Sequence, residues 1–332
     1  MSGGVAGLND NYLDVLQNYG GEEWEVRRGR GAWICGCPEG VKLLKEYRGS
    51  LKRLEFEETV LKELKDQGIS QVDQYIRNQD GELITTGEDG TKYILKDWFG
   101  DRECNLKDSR EVLSAVTWIA RLHRAFRAIS WRGEWNLGSM QPPGLCAEMR
   151  RHSREMKRVR TFISNKRKKS EFELCVMQDF AEFYEQALMA QKGLELLESG
   201  QEEGQLFLCH GDLNQHHLLM GEGGIAVIEF NQMHRGKQMA DLYHFMRKVM
   251  EKHGWGEGLG LAMMENYDKV LPIDGKDREC LYYLFLYPEK YWKQLNYYYN
   301  ANKAWTPAKN VEKLQKLKEQ QEARNRFMSQ IK

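Results

Sequence analysis

The sequence has no excess of charge of either sign, since 49 Lys and Arg stand against 49 Asp and Glu. No global field therefore draws the chain to nucleic acid or anionic lipid, and any such binding must come from a local patch. No apolar run approaches the roughly 18 residues a membrane-spanning helix needs. Residues 1–18 lack the basic start and apolar stretch of a secretory leader, so the expectation is a chain made and kept on the cytosolic side. The seven cysteines are odd in number, irregularly spaced and diluted in 332 residues. That argues against a disulfide framework and for a reducing compartment. Cys35 and Cys37, the closest pair, have neither a second pair nor a His at zinc spacing nearby. Internal repeats and low-complexity segments are missing too.

What is present is the composition of a globular protein: 41% hydrophobic, 30% charged and 11% aromatic residues. Its length suits one bilobal domain or two modest ones. Short runs separated by Gly and Asp turn signals predict strands at Trp24–Val26, Ala32–Cys35, Val41–Tyr47, Gln74–Arg77, Leu83–Thr86 and Lys92–Trp98. One helix interrupts them from about Leu51 to Lys65, with Leu54, Val60, Leu61 and Leu64 on its apolar face and Gly68 past its end. A helix follows over Ser109–His123, and a longer one over Glu171–Glu198 that a polar loop at Gly200–Gly204 closes. Strand-like runs at Leu206–Cys209 and Ile225–Phe230 flank the turn at Gly221–Gly224. The rest is helical: Leu242, Phe245, Met246, Val249 and Met250 form one stripe, and Leu259–Val270, Arg278–Leu286, Glu289–Asn300 and Val311–Phe327 continue it. Strands segregated from helices give an α+β class. The expected boundary lies near Trp98–Gly100, with a lobe at 1–98, a helical lobe at 99–332, and an inserted basic helical segment at about 143–204.

Chemistry concentrates where the patterning changes from helix to strand. Asp212 follows a strand, two residues after His210, and precedes a hairpin-like pair of strands. A carboxylate so placed suits phosphoryl transfer, because it can orient an attacking hydroxyl. Glu229, set between apolar residues at the second strand's end, is the second acid, and two such acids could hold Mg²⁺ and a base together. Gly29-Arg30-Gly31 sits between the first two strands as a phosphate loop would, although two glycines are common in any hairpin.

Leu208-Cys209-His210-Gly211-Asp212-Leu213, Val227-Ile228-Glu229-Phe230 and Ala240-Asp241-Leu242 together resemble the catalytic motifs of the aminoglycoside phosphotransferase superfamily. A narrower resemblance runs along nearly the whole chain. Arg53-Leu54-Glu55-Phe56, Tyr93-Ile94-Leu95-Lys96-Asp97-Trp98, Ala120-Arg121-Leu122-His123 and Tyr287-Pro288-Glu289-Lys290-Tyr291-Trp292, followed by Asn296-Tyr297-Tyr298, are similar to the CotS family of spore coat proteins. The resemblance implies a protein-kinase-like bilobal fold, a small strand-rich lobe and a large helical one, using ATP and Mg²⁺. It implies Asp212 as catalytic base, with His210 and Asp241 supporting the catalytic loop. Lys45 would contact nucleotide phosphates and pair with Glu57, while the backbone of Leu95 to Trp98, including Asp97, would read adenine. Glu229 and His217 fall at the metal positions, where active members usually carry Asp and Asn. The extra methylene of Glu and the imidazole of His both suit Mg²⁺ less well, which also admits a catalytically impaired pseudokinase. Placement on the mother-cell side, assembly into the spore coat and contact with other coat proteins are further implications.

Blander roles stand beside these. His123 ends an apolar stripe and is expected to be a core histidine bonded to neighbouring backbone. His216 and His217 are adjacent and point apart on an extended chain, which disfavours zinc. Between Arg150 and Lys169 there are ten Lys or Arg against one acid, Glu155. A solvated helix pair is the expectation there, with binding to a polyanion, a membrane surface or a phosphorylated partner as the alternative, because a single aromatic, Phe162, stands among the charges to stack on bases. Six tyrosines between Tyr282 and Tyr298 are expected to line the helical core and its surface, with a contact face for coat proteins as the alternative.

Overall fold

The structure, a computed structural model, describes residues 12–21, 23–29, 31–100, 102–199, 206–300 and 307–332. Arg30 of the glycine-bearing turn and the loop expected at 200–204 lie outside them. The chain divides into two compact units. The first is Met1–Cys104 together with Ala125–Trp135 and Asn214–Met233; the second is Asn105–Arg124, Asn136–Leu213 and His234–Lys332. The first unit thus takes residues from three stretches of sequence, including the segment that carries Glu229.

In chain order the first unit begins with α1 (Tyr12–Gln17), β1 (Glu25–Gly29), β2 (Ala32–Cys37), β3 (Gly40–Glu46) and α2 (Leu51–Asp66). It continues with β4 (Tyr75–Ile76), β5 (Thr85–Thr86), β6 (Lys92–Trp98) and β7 (Arg102–Glu103). The main sheet is antiparallel in the order β1-β2-β3-β6-β4, with β5 also on β6. Its register sets Lys45 opposite Ile94 and Leu43 opposite Lys96. Helix α2 starts where the Ser50 hydroxyl accepts from Arg53 N–H. It ends in a Schellman turn: Gly68 N–H bonds Lys65 O, Ile69 N–H bonds Leu64 O, and Gly68 takes φ 85°. Leu54, Val60, Leu61 and Leu64 are buried, as the periodicity requires. Helix α1 was not anticipated; its Val15 and Leu16 pack with Trp33, Cys35, Leu44, Tyr93 and Leu95.

The second unit is helical. It contains α3 (Ser109–Ala128, whose last turn belongs to the first unit), α4 (Leu145–Ser164) and α5 (Glu171–Ser199). Then come β8 (Phe207–Cys209), the hairpin β9 (Leu218–Gly221) and β10 (Gly224–Val227), and β11 (His234–Gly236). The hairpin lies in the first unit, where β7 extends it, and β11 pairs with β8 in the second. The chain closes with α6 (Gln238–Lys252), α7 (Glu257–Asp268), α8 (Gly275–Leu286), α9 (Glu289–Asn300), α10 (Pro307–Glu319) and α11 (Gln321–Ile331). The single helix expected at Val311–Phe327 is therefore two helices. Among the described residues no helix is long and apolar enough to cross a membrane.

Candidate active site

In the first unit a cleft of about 330 Å³ opens over the main sheet and the hairpin. Ala32, Ile34, Leu43, Leu219 and Ile228 give it apolar walls, and Lys45, His217 and Glu229 give it a polar end. An apolar slot with a few convergent polar groups is the usual form of a small-molecule site. Lys45 reaches it from β3 and is bidentate on Glu229, with Nζ 3.0 and 3.1 Å from the two carboxylate oxygens. Glu229 follows β10 in a left-handed conformation, φ 65° and ψ 56°. For a residue with a Cβ this costs about 1–3 kcal/mol and persists only where the surroundings enforce it. Part of that enforcement is visible: Glu229 N–H donates to Asp73 Oδ2 at 3.0 Å. Asp73 also accepts from Lys96 Nζ at 3.0 Å, and both side chains are buried. Burial works to lower the Lys96 pKa, but the charges of Asp73, Tyr75 and Glu229 outweigh it and hold the ammonium well above its ordinary range. Burial likewise opposes ionisation of Glu229, yet Lys96 and Lys45 keep its carboxyl below the usual carboxylate range.

Several expected roles are rearranged. Glu57 does not pair with Lys45: its carboxylate takes Arg53 Nε at 2.5 Å and the Tyr75 hydroxyl. Arg53 sits one helical turn earlier on α2, nearer than any strand lysine. Leu95 is central in the sheet, opposite Leu44 and Ile76, and wholly buried. Asp97 gives its N–H to Gln74 O and its carboxylate to Lys42, on a different cleft. The residues of this stretch that line the site are Trp98 and Phe99, just beyond them. His217, expected at a metal position, lines the cleft with Glu229. Asn214 Oδ1 accepts from His216 N–H, which turns the Asn214 amide nitrogen to His217 Nδ1 at 3.2 Å. Nδ1 is then the acceptor, so neutral His217 carries its proton on Nε2 and presents a donor. Among the described residues no three His, Cys, Asp or Glu side chains form a ligand cluster. A hard cation on Glu229 would take its other oxygens from bound phosphate and water, the common arrangement for Mg²⁺.

In the second unit, Asp241 of α6 organises the His210-Gly211-Asp212 turn. Its carboxylate accepts from His210 N–H at 2.7 Å and from Gly211 N–H at 3.0 Å. Gly211 adopts φ 85°, which suits a residue without Cβ. Asp212 N–H donates to His210 Nδ1 at 3.2 Å, and the Asp212 side chain is exposed. His123 is a core histidine, as expected, but its partners are side chains: Nδ1 meets the Tyr267 hydroxyl at 2.8 Å and Nε2 meets Asp241 Oδ2 at 3.3 Å. Burial alone would raise the Asp241 pKa; the hydrogen bond and charge of His123, with His210 and His234, bring it down to about 2. Asp241 is therefore a fixed anion, and Asp212 stands on a loop held by it. Sequence reasoning missed Asp73, Lys96 and Tyr267. Only Lys96 left a signal, as a charge inside the apolar run Tyr93-Ile94-Leu95.

No curated protein matches the chain. An aminoglycoside phosphotransferase from Alicyclobacillus acidocaldarius has a similar structure, with a TM-score of 0.84 at 16% identity over 99% of this chain and 96% of that one. A spectinomycin phosphotransferase in complex with ADP and spectinomycin gives 0.63 at 15% identity, over 96% and 95%. A microcompartment-associated aminopropanol kinase gives 0.58 at 15%, over 96% of each chain. At such identities these neighbours establish the fold, which is the kinase-like α+β fold of the aminoglycoside phosphotransferases. The model of the phosphotransferase enzyme family matches residues 8–273, a span that holds Lys45, Asp212, Glu229 and Asp241, and the chain belongs to that family.

Proposed function

We propose that this protein is an ATP- and Mg²⁺-dependent phosphotransferase acting on a hydroxyl acceptor. The observation that carries this is the intact turn at His210-Gly211-Asp212, whose backbone donors Asp241 holds while the Asp212 carboxylate stays exposed. In the proposed reaction the acceptor oxygen forms a bond to the γ-phosphorus, the bond from that phosphorus to the β–γ bridging oxygen breaks, and ADP leaves. The acceptor's proton passes to Asp212. Lys45 would bind phosphate oxygens, His217 would donate to them through Nε2–H, and Trp98 and Phe99 would border the base. Glu229 would hold Mg²⁺, which when bound neutralises charge on the phosphates. Neighbours crystallised with ADP or an ATP analogue support nucleotide use.

The resemblance at Tyr287–Trp292 supports a finer assignment, a CotS-type spore coat protein, with other coat proteins as partners. A second reading, a pseudokinase serving as a structural coat component, is favoured by Glu229 and His217 standing where active members carry Asp and Asn. The two separate by experiment. An active enzyme gains thermal stability from ATP, gains more with Mg²⁺, and transfers phosphate in a reaction that Asp212→Asn abolishes. ATP binding without transfer, unlocked by His217→Asn with Glu229→Asp, identifies the impaired site. No ATP-induced stabilisation under either condition refutes the phosphotransferase reading.

A further inference from the structure

Lys96 and Asp73 have no role in the reaction as written, yet they form a salt bridge sealed from water, with side chains 3% and 0% exposed. Apolar residues of similar volume often pack as well as such a pair or better, so a buried pair invites a reason beyond stability. Two observations tie this one to Glu229. The same oxygen, Asp73 Oδ2, accepts both the Lys96 ammonium and the Glu229 N–H, each at 3.0 Å. Glu229 holds a left-handed backbone that a residue with Cβ keeps only under restraint. Lys96 also lies 4.5 Å over the Tyr75 ring, and the Tyr75 hydroxyl bonds Glu57. Helix α2, strands β4 and β6 and the segment after β10 are thereby joined through one set of polar contacts.

We propose that Asp73 and Lys96 are a positioning pair for Glu229, keeping its carboxylate aimed into the cleft when a nucleotide's phosphates draw Lys45 away. The inference rests on the phosphotransferase reading of the cleft. In this structure both Glu229 oxygens lean on the Lys45 ammonium, and phosphate oxygens compete for that same ammonium. Once Lys45 turns to phosphate, Glu229 keeps two restraints: the Asp73 clamp on its backbone and the Lys96 charge behind it. The carboxylate is then preset for a hard cation, whose geometry tolerates little misplacement.

The test replaces the pair by neutral groups of similar size, Asp73→Asn with Lys96→Met, so that no unpaired charge is buried. ATP binding is measured by calorimetry and thermal shift, once with chelator and once with Mg²⁺. The expected result is metal-free ATP affinity close to wild type, with a loss of about tenfold in the affinity gain that Mg²⁺ provides, the usual cost of removing an outer partner of a metal ligand. A double variant with the full Mg²⁺ gain overturns the pair's role while leaving the phosphotransferase reading intact. Wild type that binds no ATP at all refutes both. If the double variant does not fold, Asp73→Asn alone decides: a reduced Mg²⁺ gain supports the assignment and an unchanged one overturns it.

Discussion

From α6, the carboxylate of Asp241 holds the His210-Gly211-Asp212 turn. It accepts two backbone N–H groups and faces His123, and both side chains are buried. Asp241→Asn presents an amide N–H to one of those donors, so a charge-assisted bond becomes a repulsion. The expected loss is about 2–3 kcal/mol of stability by urea denaturation, with phosphate transfer falling because Asp212 is no longer held. The hold of Asp241 on the His210-Gly211-Asp212 turn was legible because both sit in local motifs of fixed spacing. The Lys45–Glu57 pairing was not, because spacing along α2 locates a carboxylate without saying which cation reaches it first. Arg53, four residues before Glu57, was the overlooked competitor. The tautomer of His217 was not legible for a related reason: it depends on the amide of Asn214, three residues away, and residue type alone does not reveal it.

At the scale of elements, the sequence located nearly every helix and the strands of the main sheet, since apolar periodicity and turn residues are local signals. It missed α1, whose six residues show little pattern, and the break between α10 and α11, which no Pro or Gly marks. That break has a structural use. Arg324 of α11 is buried and bonds the carbonyl oxygens of Phe285 and Leu286, the last residues of α8. Helix-terminal carbonyls have no partner within their own helix, and a cation there also meets the negative end of the macrodipole. Burial lowers the Arg324 pKa to about 10, which still leaves the guanidinium charged at neutral pH. Arg324→Met should therefore strand both carbonyls and cost about 3 kcal/mol, seen as a lower urea midpoint. Arg326→Met on the same helix is the control, because Arg326 is exposed and its ion pairs with Glu257 and Glu322 contribute little. Equal losses from the two variants would count against the capping role.

For the whole molecule, the balance of Lys and Arg against Asp and Glu says nothing about pH tolerance, which depends on where the shifted groups lie. Asp241, Glu289 and Glu173 are all brought down to about 2. In each case burial opposes the charge and is outweighed: by His123 for Asp241, by Arg247, His244 and Lys293 for Glu289, and by Lys166 and Tyr298 for Glu173. Carboxyls depressed in the folded state contribute stability above their unfolded pKa, near 4, and that contribution is lost as pH falls towards 2. His152, stacked 3.4 Å on Trp292, is lowered by burial from 6.5 to about 4. Its neutral form is favoured by the fold, so the unfolded chain takes up a proton as pH falls from 6.5 to 4, and stability declines in the same direction. All four residues belong to the second unit. The melting temperature should accordingly fall in two stages on acidification, first below about pH 6.5 and then more steeply below about pH 4. His152→Phe, which keeps an aromatic ring against Trp292 but cannot take a proton, should flatten part of the first stage and leave the second unchanged. His244, also lowered by burial, contributes to that first slope in the same direction. Hydrogen exchange at about pH 3 should show protection lost in the helices of the second unit, where the three carboxyls brought down to about 2 lie. A first stage of undiminished slope in His152→Phe would remove His152 from the account and assign the whole decline to other groups.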